Sequence, residues 1–274
     1  MINIVTNVSL YDGIRIKYTI PNWIRIFDKR IKSLRIVIDE KPVEGRIKSI
    51  HSNNKNIYEL DEVISELLFN YPFIKIEKLN YNDTENISSK FFKHGNPIRC
   101  QAGTPIFAFL KGIFSSEEGI ILRTDCDIIY YDNGWVNKAL ELLSENKYLI
   151  VEPPMLGQIE YGFSTRSFLI DKNQFMGKMP INAYKLDILR RIRRALKKRS
   201  SYLAFEQMIQ KEIHRNFLSH VRIDNNLGFA IHFIYPEDFN NDYIEEIINR
   251  IENNSLPNKQ KLDCDFRKTY WEYS

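Results

Sequence analysis

Only three cysteines, Cys100, Cys126 and Cys264, occur in 274 residues, an odd number too widely spaced for a disulfide framework or a zinc site. A reducing compartment fits that usage. No apolar run approaches the ~18 residues a membrane span requires. Residues 1–10, MINIVTNVSL, lack the basic start and long apolar core of a signal peptide. The expected location is therefore cytoplasmic, with any membrane contact peripheral, at the inner face. Charge of one sign is also scarce: 39 Lys+Arg against 35 Asp+Glu leave +4, too mild an excess to imply nucleic acid. Repeats and obvious linkers are missing. What remains is 43% hydrophobic and 27% charged, which excludes disordered, collagen-like and coiled-coil classes and supplies a real core. The length suits two domains or one large α/β domain with extensions.

The first half alternates buried β-branched runs with helical periodicity. Strands are expected over 2–8, 34–38, 73–79, 120–122 and 148–151. Helices are expected from Pro21 through Trp23, Ile24 and Phe27, then over 59–70, 100–114 and 136–143, with a polar loop over 80–95. This rhythm predicts a Rossmann-like, mainly parallel sheet flanked by helices over residues 1–150. In the second half, Pro153, Pro154 and Gly157 punctuate a loop. Strands at 164–170, 218–223 and 228–234, a turn at 224–227, and helices at 187–199, 202–214 and 242–251 follow. The tail from Ser255 reads as polar and loose. Residues 151–274 thus form a helical/β extension, the whole being one continuous unit.

Asp125-Cys126-Asp127 is the sharpest motif. Fifteen aspartates make one D-x-D expected by chance, and a second exists at Asp263-Cys264-Asp265. The first follows an apolar strand, so its carboxylates emerge at a strand's C-terminal end, where open α/β sheets bind ligands. The second lies between Lys261 and Arg267 in a polar tail and reads as a solvated turn. Paired carboxylates there can hold a divalent cation that offsets charge developing on a departing diphosphate. Asp127 is the stronger metal candidate, and Asp125 can reach the metal or the donor's hydroxyls.

Ile4-Val5-Thr6 on the first strand, Cys100-Gln101-Ala102-Gly103-Thr104-Pro105 ahead of a helix, and Leu122-Arg123-Thr124-Asp125-Cys126-Asp127 together resemble a glycosyltransferase of the GT-A fold over most of residues 1–235. The resemblance implies a nucleoside-diphosphate sugar donor (UDP- or GDP-linked), Mn²⁺ or Mg²⁺, and a hydroxyl acceptor on a glycan or lipid-linked precursor in bacterial surface glycan synthesis. It makes residues 1–150 the donor half and 151–274 the acceptor half. It also implies that Thr6 and Asp39 contact the nucleoside. His232, within an apolar strand, is either a satisfied core histidine or a third metal ligand, the latter by resemblance. Glu206, opening a helix, is a surface acid or, as in inverting members, the base for the acceptor hydroxyl; Gln207 replaces the acid common at the next position. Arg166 can clamp a phosphate or acidic sugar, or simply point outward from its strand. Gln101 and Gly103 suit close approach of a donor to a helix start, or tight packing on the sheet.

Seven of the ten residues 190–199 are Arg or Lys, including Arg190, Arg191, Arg193, Arg194 and Arg199, while Ile188, Leu189, Ile192, Ala195 and Leu196 share one face. That pattern is a solvated helix anchored by its stripe, or a surface for anionic lipid headgroups or a lipid-diphosphate acceptor. Tyr270, Trp271 and Tyr273 can add an interfacial anchor or cap a core edge. Two other function classes compete. A sugar-nucleotide pyrophosphorylase needs a Gly-rich basic loop after the first strand, and residues 7–13 hold one Gly and no Lys or Arg. A non-enzymatic anionic-surface or nucleic-acid module would rest on the basic helix alone, without interleaved aromatics.

Overall fold

A computed structural model describes residues 1–41, 60–154, 163–197, 199–223, 229–233 and 238–271. The first half contains β1 (Ile2–Ser9), α1 (Gly13–Phe27), β2 (Ile31–Asp39), α2 (Leu60–Asn70), β3 (Ile74–Lys78), α3 (Thr84–Phe91), α4 (Ile106–Ser115), β4 (Ile120–Thr124), β5 (Ile128–Tyr130), α5 (Trp135–Ser144) and β6 (Ile150–Glu152). The second contains β7 (Ser167–Asp171), α6 (Lys172–Gly177), α7 (Ile188–Leu196), α8 (Phe205–His214), β8 (His220–Arg222), β9 (Ala230–His232), α9 (Asn241–Glu252) and α10 (Asn258–Leu262).

Seven strands form one mixed sheet in the order β3-β2-β1-β4-β7-β6-β8. β1, β2, β3 and β4 run parallel, β7 is antiparallel to both neighbours, and β8 pairs parallel with β6. The expected mainly parallel α/β sheet is therefore present, and it draws strands from both halves of the chain. From β1 the order steps one way to β2 and β3, and the other way to β4. That reversal makes a topological switch point, and its crevice opens at the strands' carboxyl ends. β1 pairs with β4 only as far as Val5 with Arg123, whereas it follows β2 to Ser9 with Asp39. Thr6 to Ser9 therefore border a gap on the β4 side.

The sheet buries apolar side chains on both faces, as a helix-covered parallel sheet must. Trp23 and Phe27 of α1 pack on one face with Ile4, Leu34 and Leu122. Phe107, Leu110 and Ile113 of α4 pack on the other with Val5, Ile121 and Phe168. Gly112 lets α4 sit against β1, since a Cβ there would lie 2.6 Å from Val5 Cγ1.

Several expectations need correction. The first helix starts at Gly13, not Pro21, which lies inside it. The expected loop at 80–95 contains α3, whose spacing of Ile87 and Phe91 buries a single narrow stripe. The helix expected from Cys100 begins at Ile106. Arg166 lies just before β7 rather than within a strand from 164. β8 and β9 belong to different sheets, and the turn between them at 224–227 lies outside the described residues, as do Gly157 and Tyr273. The tail after Ser255 is ordered: Gln260, Cys264, Asp265, Phe266 and Trp271 are all buried. Trp271 donates from Nε1 to Gln260 Oε1 at 3.1 Å and packs near Phe266, so it belongs to the core.

Candidate active site

The first D-x-D leaves β4 at the switch point and is gripped by polar side chains of α1. Thr19 Oγ1 donates to the Cys126 carbonyl at 3.1 Å, and Trp23 Nε1 donates to the Ile128 carbonyl at 2.7 Å. Asn22 Nδ2 donates to the Tyr130 carbonyl at 2.9 Å, while Asn22 Oδ1 accepts from the Tyr130 N–H at 2.8 Å. The backbone groups of a buried turn are thereby satisfied without a ladder, which fixes the turn's shape. β5 then pairs antiparallel with β9, setting Ile128 opposite His232.

Asp127 is partly exposed, yet its Oδ1 is buried without a hydrogen-bond partner. Its Oδ2 lies 3.8 Å from His232 Nε2. The other imidazole nitrogen, Nδ1, lies 3.1 Å from Asp265 Oδ1. Asp265 comes from the second D-x-D, read above as a solvated turn, and that reading is corrected: it is buried and bridged to His232 through the backbone. His232 N–H donates to the Cys264 carbonyl at 2.7 Å, and Phe266 N–H donates to the His232 carbonyl at 2.8 Å. Gln260 Nε2 secures the segment by donating to the Asp265 carbonyl at 3.0 Å. Burial alone would push the Asp265 carboxyl up, but the His232 bond and the charges of Arg166, His232 and Arg267 hold it below the ordinary range.

Asp125 differs from Asp127. Its carboxylate bonds Arg123, a buried guanidinium that also bonds Asn7 Oδ1 and donates to the Thr165 carbonyl at 3.1 Å. Burial raises the Asp125 carboxyl above its ordinary range, with Arg123 opposing and Asp127 adding to the rise. A second buried cation, Arg15, pairs with Asp12 and feels Asp127; burial opposes its charge, and Asp12, Cys126 and Asp127 together outweigh that and hold its pKa above normal. Burial keeps the Cys126 thiol protonated, well above its ordinary value.

These atoms fit a divalent cation. Ligand bonds of about 2.0–2.2 Å put neighbouring ligands roughly 3–4 Å apart, the separation of Asp127 Oδ2 and His232 Nε2. A histidine that ligates through one nitrogen is commonly oriented by a carboxylate on the other, the role Asp265 can fill. Oxygen donors with one imidazole and no thiolate suit Mn²⁺ or Mg²⁺. Among the described residues no group of three or more His, Cys, Asp or Glu forms a complete cage, so water and ligand oxygens would supply the remaining positions.

Glu206 stands in the first turn of α8. Burial raises its pKa to about 7; Arg166 lowers it, while Asp125 and Glu152 push it up. Arg166 Nη1 lies 3.3 Å from Asp265 Oδ1, and its carbonyl accepts from the Asp125 N–H at 2.8 Å. The electrostatic coupling thus joins Glu206, Arg166 and Asp125, while Arg166 and Asp265 tie that group to His232. Glu152, buried between His220, Arg222 and the Ser164 N–H, was missed from sequence because its partners are remote in the chain.

The remaining candidates lie around the rim or beneath it. Gln101 Nε2 donates to Gln207 Oε1 at 3.2 Å, one residue from Glu206. Gly103 occupies a tight turn at φ +92°, with its N–H on the Cys100 carbonyl at 3.0 Å. Neither opens a helix. Thr6 is fully buried with an unpartnered hydroxyl. Asp39 is buried with its carboxylate engaged by Tyr81 OH at 2.5 Å and Arg99 Nη2 at 2.9 Å.

No protein-family model matches the chain, and no curated protein matches it. The chain is similar to solved structures at low identity. A galactosyltransferase LgtC in complex with donor and acceptor sugar analogs is 10% identical at TM-score 0.46, with 97% of this chain and 84% of that chain covered. The glycosyltransferase GlyE of Streptococcus pneumoniae is 11% identical at TM-score 0.48, with 99% and 59% covered. A 4-diphosphocytidyl-2C-methyl-D-erythritol synthase from Anaerococcus prevotii is 10% identical at TM-score 0.45, with 91% and 96% covered.

Proposed function

We propose that this protein is a metal-dependent glycosyltransferase that moves a sugar from a nucleoside-diphosphate sugar to a hydroxyl acceptor on a glycan or lipid-linked precursor. The observation that carries the reading is the meeting of Asp127 and His232 Nε2 at the switch point, with Asp265 on the other face of the imidazole. The residues favour Mn²⁺ or Mg²⁺, which when bound would act as a Lewis acid on the diphosphate. Asp127 and His232 would hold the cation, with Asp265 fixing the imidazole. Asp125, braced by Arg123, would face the donor's hydroxyls, and Arg166 would add positive charge near its phosphates.

Glu206 would serve the acceptor. A carboxylate with a pKa of about 7 is poised to take a hydroxyl proton near neutrality. The acceptor oxygen forms its bond to the anomeric carbon, the proton passes to Glu206, and the carbon–oxygen bond to the diphosphate breaks with its electron pair leaving on the diphosphate.

The test is thermal stabilisation by UDP and GDP with and without Mn²⁺, since ligands that bind the native state raise the melting point. Stabilisation that requires the metal and disappears in Asp127→Ala supports the reading. Binding or transfer that survives excess chelator removes the metal from it, and no response to any nucleoside diphosphate removes the donor.

A further inference from the structure

The helix α7 carries a ligand surface that the candidate site does not use. It runs from Ile188 to Leu196, capped by Asp187, whose Oδ1 accepts from the Arg190 N–H at 3.0 Å. None of its side chains is buried. Ile188, Leu189, Ile192 and Leu196 are 68%, 67%, 55% and 82% exposed. At about 100° per residue these four and Ala195 fall within a stripe roughly 120° wide, with Arg190, Arg191, Arg193 and Arg194 on the opposite arc. No acidic residue follows Asp187 before Arg199, and Lys197 extends the cationic side.

The helix is held in place from below. Arg194 bonds the Gln101 and Ser200 carbonyls. The segments entering and leaving it meet where the Leu186 N–H donates to the Ser201 carbonyl at 2.9 Å and Lys185 bridges Tyr202. The protein therefore presents an apolar stripe to solvent from a fixed base, at the cost of its hydration.

We infer that α7 is a docking helix for an anionic lipid bilayer, lying in the interface with Ile188, Leu189, Ile192 and Leu196 among the acyl chains and its arginines at the headgroup phosphates. Charge complementarity selects this occupant. Arginine snorkels from an apolar face to phosphates, so one planar surface satisfies both arcs of the helix at once. A second copy would bring two arginine-rich faces together with only the Asp187 caps to offset them. Its footprint also falls short: a nine-residue helix about 13 Å long and ~10 Å wide covers far less than the ~800 Å² per partner of a stable interface. A soluble polyanion would engage the arginines and leave the isoleucine and leucine side chains in water. The inference stands independently of the reaction proposed above, because α7 touches that site only through Gln101.

Flotation of the purified full chain with vesicles of phosphatidylcholine alone, and of phosphatidylcholine and phosphatidylglycerol in equal parts, tests it. The wild-type chain is expected to float with the anionic vesicles only. Arg190→Gln, Arg191→Gln and Arg193→Gln combined should cut partitioning on the order of a hundredfold, at about fivefold per cation. Ile192→Ser with Leu196→Ser should cut it at least tenfold, because each exposed side chain would otherwise be buried in the acyl region. Melting points should not move, since these side chains pack against nothing. Equal or absent binding to both vesicles overturns the inference. So does anionic binding that the apolar pair leaves intact, which would mark a polyanion surface, or self-association in place of vesicle binding.

Discussion

His232 presents Nδ1 to Asp265 at 3.1 Å and Nε2 to Asp127 at 3.8 Å, so one imidazole joins the two D-x-D motifs of the chain. The carboxylate on Nδ1 selects the tautomer whose Nε2 lone pair is free to ligate. Asp265→Asn is expected to weaken Mn²⁺ binding about 10–100-fold, leaving activity recoverable at high Mn²⁺. A Mn²⁺ titration of nucleotide-dependent melting reads this directly, and an unchanged midpoint would deny Asp265 the orienting role.

Asp127 has the opposite character, with an oxygen buried and unpaired. Asp127→Asn removes the charge while keeping the shape. Metal-dependent nucleotide binding should be abolished, whereas the melting point without ligand should hold or rise as an unpaired buried charge is lost. A collapse of the apo protein would show a structural role instead.

For Glu206 the sign of the pH effect is fixed by its raised pKa of about 7. Transfer should fall about tenfold per pH unit below that value, as the base becomes protonated. Glu206→Gln should lose about 10²–10⁴ in rate together with that acid limb. Stability runs the other way: the protonated form is favoured by the fold, so its contribution is complete below the ordinary carboxylate range and is lost as pH rises through 7. The glutamine variant should therefore melt higher than wild type above pH 7 and no higher in acid.

Gly112→Ala should destabilise the protein by about 1–3 kcal/mol despite the better helix propensity of alanine, because the new methyl meets Val5 inside a filled core. Denaturant unfolding measures it. A neutral result would mean that α4 can slide off β1 without loss.

Much of this architecture was readable in the chain. The strands β1, β2 and β4 are short β-branched runs buried on both faces, and a run such as Ile120–Leu122 has few other ways to be satisfied. The polar grip of α1 was not readable: Thr19 and Asn22 look like surface residues until β5 supplies the carbonyls they bind. Pro21 suggested a helix start, because a proline costs least in the first turn, yet the apolar positions from Ile14 to Phe27 carry the helix through it. In the site, Asp125 and Asp127 were marked by the strand before them. Asp265 was hidden, since its burial depends on a backbone bridge to His232, 33 residues earlier. The stripe on α7 was visible, but its exposure was not, because periodicity says which side chains share a face and nothing of what covers them.

The dependence of His232 on residues 264–266 has a consequence during synthesis. Those residues leave the ribosome after every strand of the main sheet has emerged, so a nascent chain can complete that sheet while the histidine still lacks its carboxylate neighbour. Translation must almost finish before the imidazole is oriented, and any fusion or truncation that disturbs the stretch around Gln260 would return the molecule to that unfinished stage.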